Sequence, residues 1–288
     1  MNRCLHPPLS EYPLRVRQLL VAGPFPWSEL QVSPGDWSDC HVTEAAGGAG
    51  VLRLLRRRAF DVLLTHPSTP AAEDLELARE AKNLQPGLRV VVLAPEVSAA
   101  DIIAALREEV FGCFSIPTPP DELRESIGQA LDEMTWQNGI HVLTAVPHWI
   151  ALRVACRRVT ADRLTRFMTE LAGDVAESDR FTLITAFREL LLNAMEHGAG
   201  FDENQVVDVH AVRTRRALVY YFKDPGPGFN VASPGHVATT EDPIGHMQAR
   251  EEEGPRPGGF GLLLTRKLVD EVHYNEPGNE VFLVKYLD

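Results

Sequence analysis

No stretch of this chain approaches the roughly 18 consecutive apolar residues that a membrane span needs. The opening segment, Met1 to Tyr12, has an early Arg3 but neither an apolar core nor a cleavage pattern, so it is not read as a signal peptide. Cysteine is scarce. Cys4, Cys40, Cys113 and Cys156 are scattered without C-x-x-C spacing, which argues against a zinc site and a disulfide framework. Cys113 and Cys156 lie in apolar runs and read as reduced core residues. Positive charge is in short supply too: 28 Lys and Arg stand against 40 Asp and Glu, a formal net charge of −12. Such a chain is repelled by phosphate backbones and anionic lipid, so nucleic acid and membrane are disfavoured as main partners. A local basic pocket for a nucleotide stays open. The pattern G-x-x-x-x-G-K-[ST] occurs nowhere, which excludes a P-loop. Internal repeats and low-complexity tracts are also missing. What remains predicts a soluble cytoplasmic protein, and 288 residues with 44% hydrophobic content suffice for about two domains.

The first half alternates strand and helix signals. Strands are expected at Leu14–Ala22, His41–Glu44, Phe60–Thr65, Leu88–Leu93 and Val110–Ile116. Helices are expected at Gly50–Arg58, Ala71–Leu84, Ser98–Glu109 (capped by Ser98) and Pro119–Met134. Near-strict alternation predicts an α/β domain over residues 13–135, a flavodoxin-like doubly wound parallel sheet. Within it, Phe60-Asp61-Val62-Leu63-Leu64-Thr65-His66 resembles the third strand of a response-regulator receiver. Phe114-Ser115-Ile116-Pro117-Thr118-Pro119-Pro120-Asp121-Glu122-Leu123 resembles its fifth strand and last helix. The departures decide the chemistry. His66 stands where the family has its phosphoacceptor carboxylate, and Ala22-Gly23-Pro24-Phe25 replaces the acidic pair after strand one. Ala94 replaces a hydroxyl residue, and Ile116 replaces a lysine. Clustered carboxylates for Mg²⁺ and a cation for a phosphoryl group are thus missing from the pattern. The domain is read as a degenerate receiver used for docking or dimerisation, with a phosphohistidine at His66 as the sharper alternative.

Thr135 to Pro147 reads as the junction, with a turn at Gln137-Asn138-Gly139, and Ile140–Thr144 and Trp149–Cys156 as strands opening a second domain over residues 140–288. Three motifs follow. Glu189-Leu190-Leu191-Leu192-Asn193-Ala194-Met195-Glu196-His197-Gly198 closes a helical pattern that begins near Asp179. Glu189 and Asn193, four apart, share one helix face. Asn193 can offer an amide oxygen to a metal ion bridging phosphates, Glu189 can act as a base, and Gly198 is expected as the C-cap. Alone, this segment reads equally well as an ordinary amphipathic helix. Asp224-Pro225-Gly226-Pro227-Gly228-Phe229 follows a strong strand over Ala217–Phe222. A buried carboxylate there can accept from an exocyclic amine, and the glycines let backbone approach a flat base. The plain alternative is a Pro/Gly turn. Gly258-Gly259-Phe260-Gly261 opens a helix over Leu262–Asp270 and presents free N–H groups to a phosphate, or else is a flexible linker.

Taken together, in this order and spacing, the three motifs resemble the asparagine box and two glycine boxes of the ATPase superfamily that includes gyrase and histidine kinases. Within it they look most like the anti-sigma-factor serine kinases, over about Val146 to Asp288. The resemblance implies an α/β two-layer sandwich of the histidine-kinase-like ATPase type, with ATP and Mg²⁺ as cofactors. It implies Asn193 at the metal and Glu189 activating a protein-serine hydroxyl. It places Asp224 on adenine with Gly226 and Gly228 shaping the base pocket, and Gly259 and Gly261 around phosphates. Arg256 in the lid and Thr265 in the following helix are further phosphate contacts; a packing hydroxyl is the plain reading of Thr265, and a solvated charge that of Lys267. The loop of about 28 residues between Phe229 and Gly258 is expected to order over ATP. It holds His246 and Glu251, Glu252 and Glu253, a like-charge run read as a solvated face. Implied partners are an antagonist protein and a sigma factor, and the family commonly forms homodimers. Two functions follow: a serine/threonine protein kinase, or a nucleotide-dependent binding module that sequesters without transfer. A histidine kinase fits less well, because no H-E/D-x-x-x-P phosphoacceptor helix pair precedes the ATPase half.

Overall fold

The computed structural model describes residues 16–132, 137–228, 265 and 267–287. Contacts divide the chain into two compact units. One comprises Met1–Glu96 and Phe114–Trp136, the other Val97–Cys113 and Gln137–Asp288.

The N-terminal sheet has five strands, β1 (Arg17–Ala22), β2 (Cys40–Ala45), β3 (Val62–Leu64), β4 (Arg89–Ala94) and β5 (Gly112–Ser115). Their order is β2-β1-β3-β4-β5, with parallel pairing of β1 to β2, β1 to β3 and β3 to β4. This is the flavodoxin-like order, with the chain reversing direction across the sheet at the β1/β3 switch point. Central strands covered on both faces read as unbroken aliphatic runs, and β3 and β4 are buried at every position. Arg89 is tolerated in β4 because it lies 3.6 Å from Asp61. The connecting helices are α1 (Gly47–Leu55), α2 (Ala71–Leu84), α3 (Ala99–Arg107) and α4 (Pro120–Asp132). Ser98 caps α3 as expected, in a reciprocal capping box with Asp101. Between β1 and β2 the chain makes only turns and a 3-10 turn at Pro34–Asp36. Aromatic packing fills that place: Phe25 and Trp27 are 4.4 Å apart, Trp27 and Trp37 6.5 Å. The Trp37 indole donates to Arg124 O in α4 at 3.1 Å.

The C-terminal sheet is antiparallel throughout. It comprises β6 (Ile140–Val146), β7 (Trp149–Ala155), β8 (Val206–Arg213), β9 (Ala217–Lys223), β10 (Glu271–Tyr274) and β11 (Glu280–Tyr286), in the order β10-β11-β9-β8-β7-β6. Two helices, α5 (Arg158–Leu171) and α6 (Glu177–Asn193), form the second layer. Strand alternation turns Ile150, Leu152, Val154, Val209, Tyr220, Phe222 and Leu283 inward, where all are buried. Phe187 of α6 anchors the layers, with ring centroids 4.9 Å from Tyr220 and 5.1 Å from Phe222. Within this unit the buried guanidinium of Arg163 on α5 donates to the carbonyls of Phe111, Val110 and Asn138 at 2.6–3.0 Å. Backbone oxygens thus take up the fork of donors that burial removes from water.

Candidate functional site

The site grows from the end of α6. Leu190, Leu191 and Leu192 pin the last turn into the core, which fixes half-buried Glu189 and Asn193 on the face left over. Directly after Asn193 the helix widens into a π turn over Ala194–Gly198. Such bulges often accompany functional positions. Here the turn delivers Gly198 against the end of β9. A Cβ on Gly198 would lie 2.3 Å from both Cγ and Oδ1 of Asp224, so only glycine fits. This corrects the expected C-cap role. Gly200 (φ +61°) and Phe201 (φ +52°) take the left-handed conformation, and Gly198 is required by close approach rather than by helix termination.

Asp224 is half-buried at the end of β9. Its Oδ1 accepts from the Gly226 amide at 2.8 Å. Burial pushes its carboxyl above the ordinary aspartate value, while the amides of Gly226 and of Asp224 itself pull it back. Gly226 packs on the π turn in its own right, since a Cβ there would meet Gly198 O at 2.7 Å. Gly228 has φ +82°, and a Cβ on it would stand 1.9 Å from Pro277 O. The first two motifs, separate in sequence, therefore share one corner.

A third party to that corner escaped the sequence reading. In the β10–β11 hairpin, Asn279 O accepts from the Asp224 amide at 3.0 Å and Asn279 Nδ2 donates to Gly226 O at 3.3 Å. Asn275 holds Asn279 in place, donating to its Oδ1 at 2.9 Å and accepting from the amides of Gly278 and Glu280. The signal was there: Asn275-Glu276-Pro277-Gly278-Asn279 is turn chemistry between two β-branched and aromatic runs.

Among the remaining expected residues, Thr265 is fully buried and in helical geometry, and Lys267 is exposed. Arg256, Gly259 and Gly261 lie outside the described residues, as do His246, Glu251, Glu252 and Glu253. Cys113 and Cys156 are buried, as read from the sequence. Burial and the nearby charges of Asp202 and Asp224 push the Cys156 thiol up to about 11, which keeps it protonated and unreactive.

The corresponding corner of the parallel sheet is built differently. His66, just past β3, accepts the Ser68 amide at Nδ1 (3.2 Å), so its hydrogen sits on Nε2 and is donated to Pro24 O, also at 3.2 Å. Backbone therefore occupies both ring nitrogens.

Residues 154–285 match the profile of the histidine kinase-like ATPase domain. The transcriptional regulatory proteins GlrR of Escherichia coli K12 and QseF of Escherichia coli O157:H7 are each 30% identical over 92 residues, 32% of this chain and 21% of theirs. The chain thus spans about a fifth of the length of these relatives. A CheY-like receiver domain protein from Methanospirillum hungatei JF-1 aligns with TM-score 0.35 and 22% identity, covering 41% of this chain and 95% of its own. Behind an N-terminal domain of flavodoxin-like strand order, this chain carries over residues 154–285 a match to the histidine kinase-like ATPase domain.

Proposed function

We propose that the domain expected over residues 140–288 binds ATP with Mg²⁺ and phosphorylates a serine on a partner protein, as an anti-sigma-factor kinase does in partner switching. The observation that carries the reading is the glycine-only contact between the end of α6 and Asp224. Gly198, Gly226 and Gly228 let the π turn, the end of β9 and the β10–β11 hairpin close tightly around one another, which fixes where the Asp224 carboxylate stands. One Asp224 oxygen is held by the Gly226 amide, which aims the carboxylate to accept an exocyclic amine. Asn193, on the same helix, offers the hard oxygen that Mg²⁺ takes when phosphates supply most of its shell. The bound ion would neutralise phosphate charge. The antagonist's serine oxygen then attacks the γ-phosphorus, the bond to the β-phosphate oxygen breaks, and ADP leaves. Glu189, one turn before Asn193, receives the hydroxyl proton. Arg256, Gly259, Gly261 and Thr265 complete the phosphate contacts in this reading, and a sigma factor is the protein released or held.

A second reading, nucleotide-dependent sequestration without transfer, is favoured by the receiver-like half, where His66 has replaced a phosphoacceptor carboxylate. One experiment separates the two. Full-length protein is incubated with γ-labelled ATP, Mg²⁺ and a candidate antagonist, beside Glu189→Gln. Loss of one general base lowers transfer about 10²–10⁴-fold and leaves ATP affinity within about threefold. Tight ATP binding with no label on any antagonist supports sequestration. No heat of ATP binding in calorimetry sinks both.

A further inference from the structure

On the helix-covered face of the antiparallel sheet there is a place where packing stops short. Strand register sets Ile150, Ala211 and Tyr220 side by side in an inward-facing row. Ile150 and Tyr220 are buried, but Ala211 between them carries a single methyl and stays partly accessible. Beside this row, toward the end of α5, lies a cavity of about 320 Å³. Protein interiors hold few voids larger than a water molecule, and this volume matches the lower end of small-molecule sites. Its lining residues all belong to the unit of Val97–Cys113 and Gln137–Asp288. It is remote from the Asp224 corner, since Leu218 in its wall precedes Asp224 by six positions along β9, about 20 Å.

Two groups give the cavity its chemistry. Tyr220 lines it and is 2% exposed, yet its hydroxyl has no hydrogen-bond partner among the described residues. Buried tyrosine hydroxyls nearly always find one. Burial pushes this hydroxyl above its ordinary value, against the lowering charge of Arg213, so it keeps its proton and can donate. Arg213 stands in the same lining, but its Nη2 is already committed to Asp174 at 2.6 Å. Glu170 adds a second carboxylate to the wall. The remaining surface is apolar, with Ile150, Met168 and Leu218 prominent in it.

We propose that this cavity binds an uncharged, ring-sized apolar molecule that presents one hydrogen-bond acceptor, such as a carbonyl oxygen, to the Tyr220 hydroxyl. Apolar walls take the body of the ligand, Ala211 leaves the room, and the hydroxyl sets the orientation. An anion is disfavoured, because Arg213 already holds Asp174 and Glu170 faces the same space. A cation would meet the Arg213 guanidinium close to the hydroxyl it sought. Occupation of the cavity requires neither ATP nor the kinase reading of the Asp224 corner.

Methyl resonances test it. The full chain is labelled with carbon-13 at its methionine methyls, assigned with Met168→Leu and Met195→Leu. Met168 lines the cavity and Met195 lies in the π turn beside Asp224, so the two methyls report on separate places. Acetophenone is the probe, and benzoate is its charged counterpart of the same size and shape. A ligand of about nine non-hydrogen atoms is expected to bind with a Kd of about 0.1–10 mM. Acetophenone should shift the Met168 methyl saturably and leave Met195 in place. Benzoate should bind about tenfold more weakly or worse. Tyr220→Phe keeps the ring and removes the donor, and should weaken acetophenone about threefold to tenfold. Ala211→Leu, checked for native circular dichroism, fills the space and should abolish the Met168 shift. No Met168 shift up to the solubility of acetophenone, benzoate binding as tightly as acetophenone, or unchanged affinity in Tyr220→Phe overturns the proposal. So does a folded Ala211→Leu that still binds; should that variant fail to fold, benzoate and Tyr220→Phe decide.

Discussion

The chain has two corners of the same general make, each a polar residue at the end of a strand facing a glycine-bearing loop. They differ in which atoms are engaged. At the end of β3, His66 gives both ring nitrogens to the backbone of Pro24 and Ser68. At the end of β9, Asp224 ties one oxygen to Gly226, sits with its carboxyl raised by burial, and is faced by glycines that have no room for a side chain. The first arrangement is complete within the chain. The second holds a partly desolvated acceptor beside a helix end, and pays for it with backbone that only glycine can supply. The comparison teaches that reactivity at such a corner follows the engagement of its polar atoms more than the sheet that presents them.

The glycines give the strongest way to break this contrast. Gly23 and Gly228 share φ +82°, so alanine strains the backbone equally at both. Their surroundings differ: a Cβ on Gly23 meets His66 Cδ2 at 3.3 Å, and one on Gly228 meets the Pro277 carbonyl at 1.9 Å. A ring can rotate aside, whereas a carbonyl in a hydrogen-bonded hairpin cannot. Gly23→Ala is expected to lower stability by about 1–2 kcal/mol. Gly228→Ala is expected to lower it by more than about 3 kcal/mol and to abolish ATP uptake. Urea unfolding read separately on each unit, with calorimetry for ATP, checks both; equal losses at the two positions would erase the distinction.

Two carboxyls, one buried and one half-buried, sharpen the contrast further. Asp74, in the first turn of α2, is pushed up to about 7 by burial, against a lowering hydrogen bond from Thr65. Its folded value lies above its unfolded one, so the folded state binds the extra proton. The associated stability is full below about pH 4 and is lost as pH rises toward 7, at up to about 1.4 kcal/mol per pH unit. Melting of the N-terminal unit across that window should show this slope, and Asp74→Asn should flatten it. An unchanged slope in the variant would assign the effect elsewhere. Asp224 is raised as well, but in the proposed function its ionised form would serve a ligand. Asp224→Asn should weaken ATP binding about tenfold to a hundredfold with no loss of fold. Wild-type affinity should fall on acidification at a higher pH than an ordinary aspartate would give, whereas the Asn variant should show no such fall. Calorimetry as a pH series tests this, and parallel profiles would remove Asp224 from the base pocket.

Periodicity made much of this legible. Ala71–Leu84 matched α2 residue for residue, and the capping of α3 by Ser98 was plain from Ser98-Ala99-Ala100-Asp101. The crossover from β1 to β2 carries no α-helix, in line with the sequence reading, which places none between Ala22 and His41; Phe25, Trp27 and Trp37 fill that place. Helix α5 went unread because Arg157 gives its start no side-chain cap. At the candidate site, residue types single out Glu189, Asn193 and Asp224 as expectations. The reason for Gly198 did not show, since it lies in a contact with Asp224 made 26 positions later in the chain. The part played by Asn279 depends on the pairing of β11 with β9 and is visible only once that sheet is assembled.

The smallest effect is expected at His66, and its smallness is the point. Two neutral hydrogen bonds at a partly exposed site contribute about 0.5–1 kcal/mol each at most. Glutamine can reproduce one donor and one acceptor, so His66→Gln should cost less than about 1 kcal/mol. His66→Asp restores the residue type that the receiver family phosphorylates, and it should do worse. A carboxylate can accept from Ser68, but it sets a negative oxygen toward Pro24 O where a donor stood, at a cost of about 1–2 kcal/mol. Neither the wild type nor His66→Asp should take up label from acetyl phosphate, because Gly23 and Pro24 stand where receivers bring a carboxylate pair for Mg²⁺. Label incorporated by the wild type from phosphoramidate and abolished in His66→Ala would show that the backbone bonds to this ring open readily. The two corners would then differ in degree and not in kind.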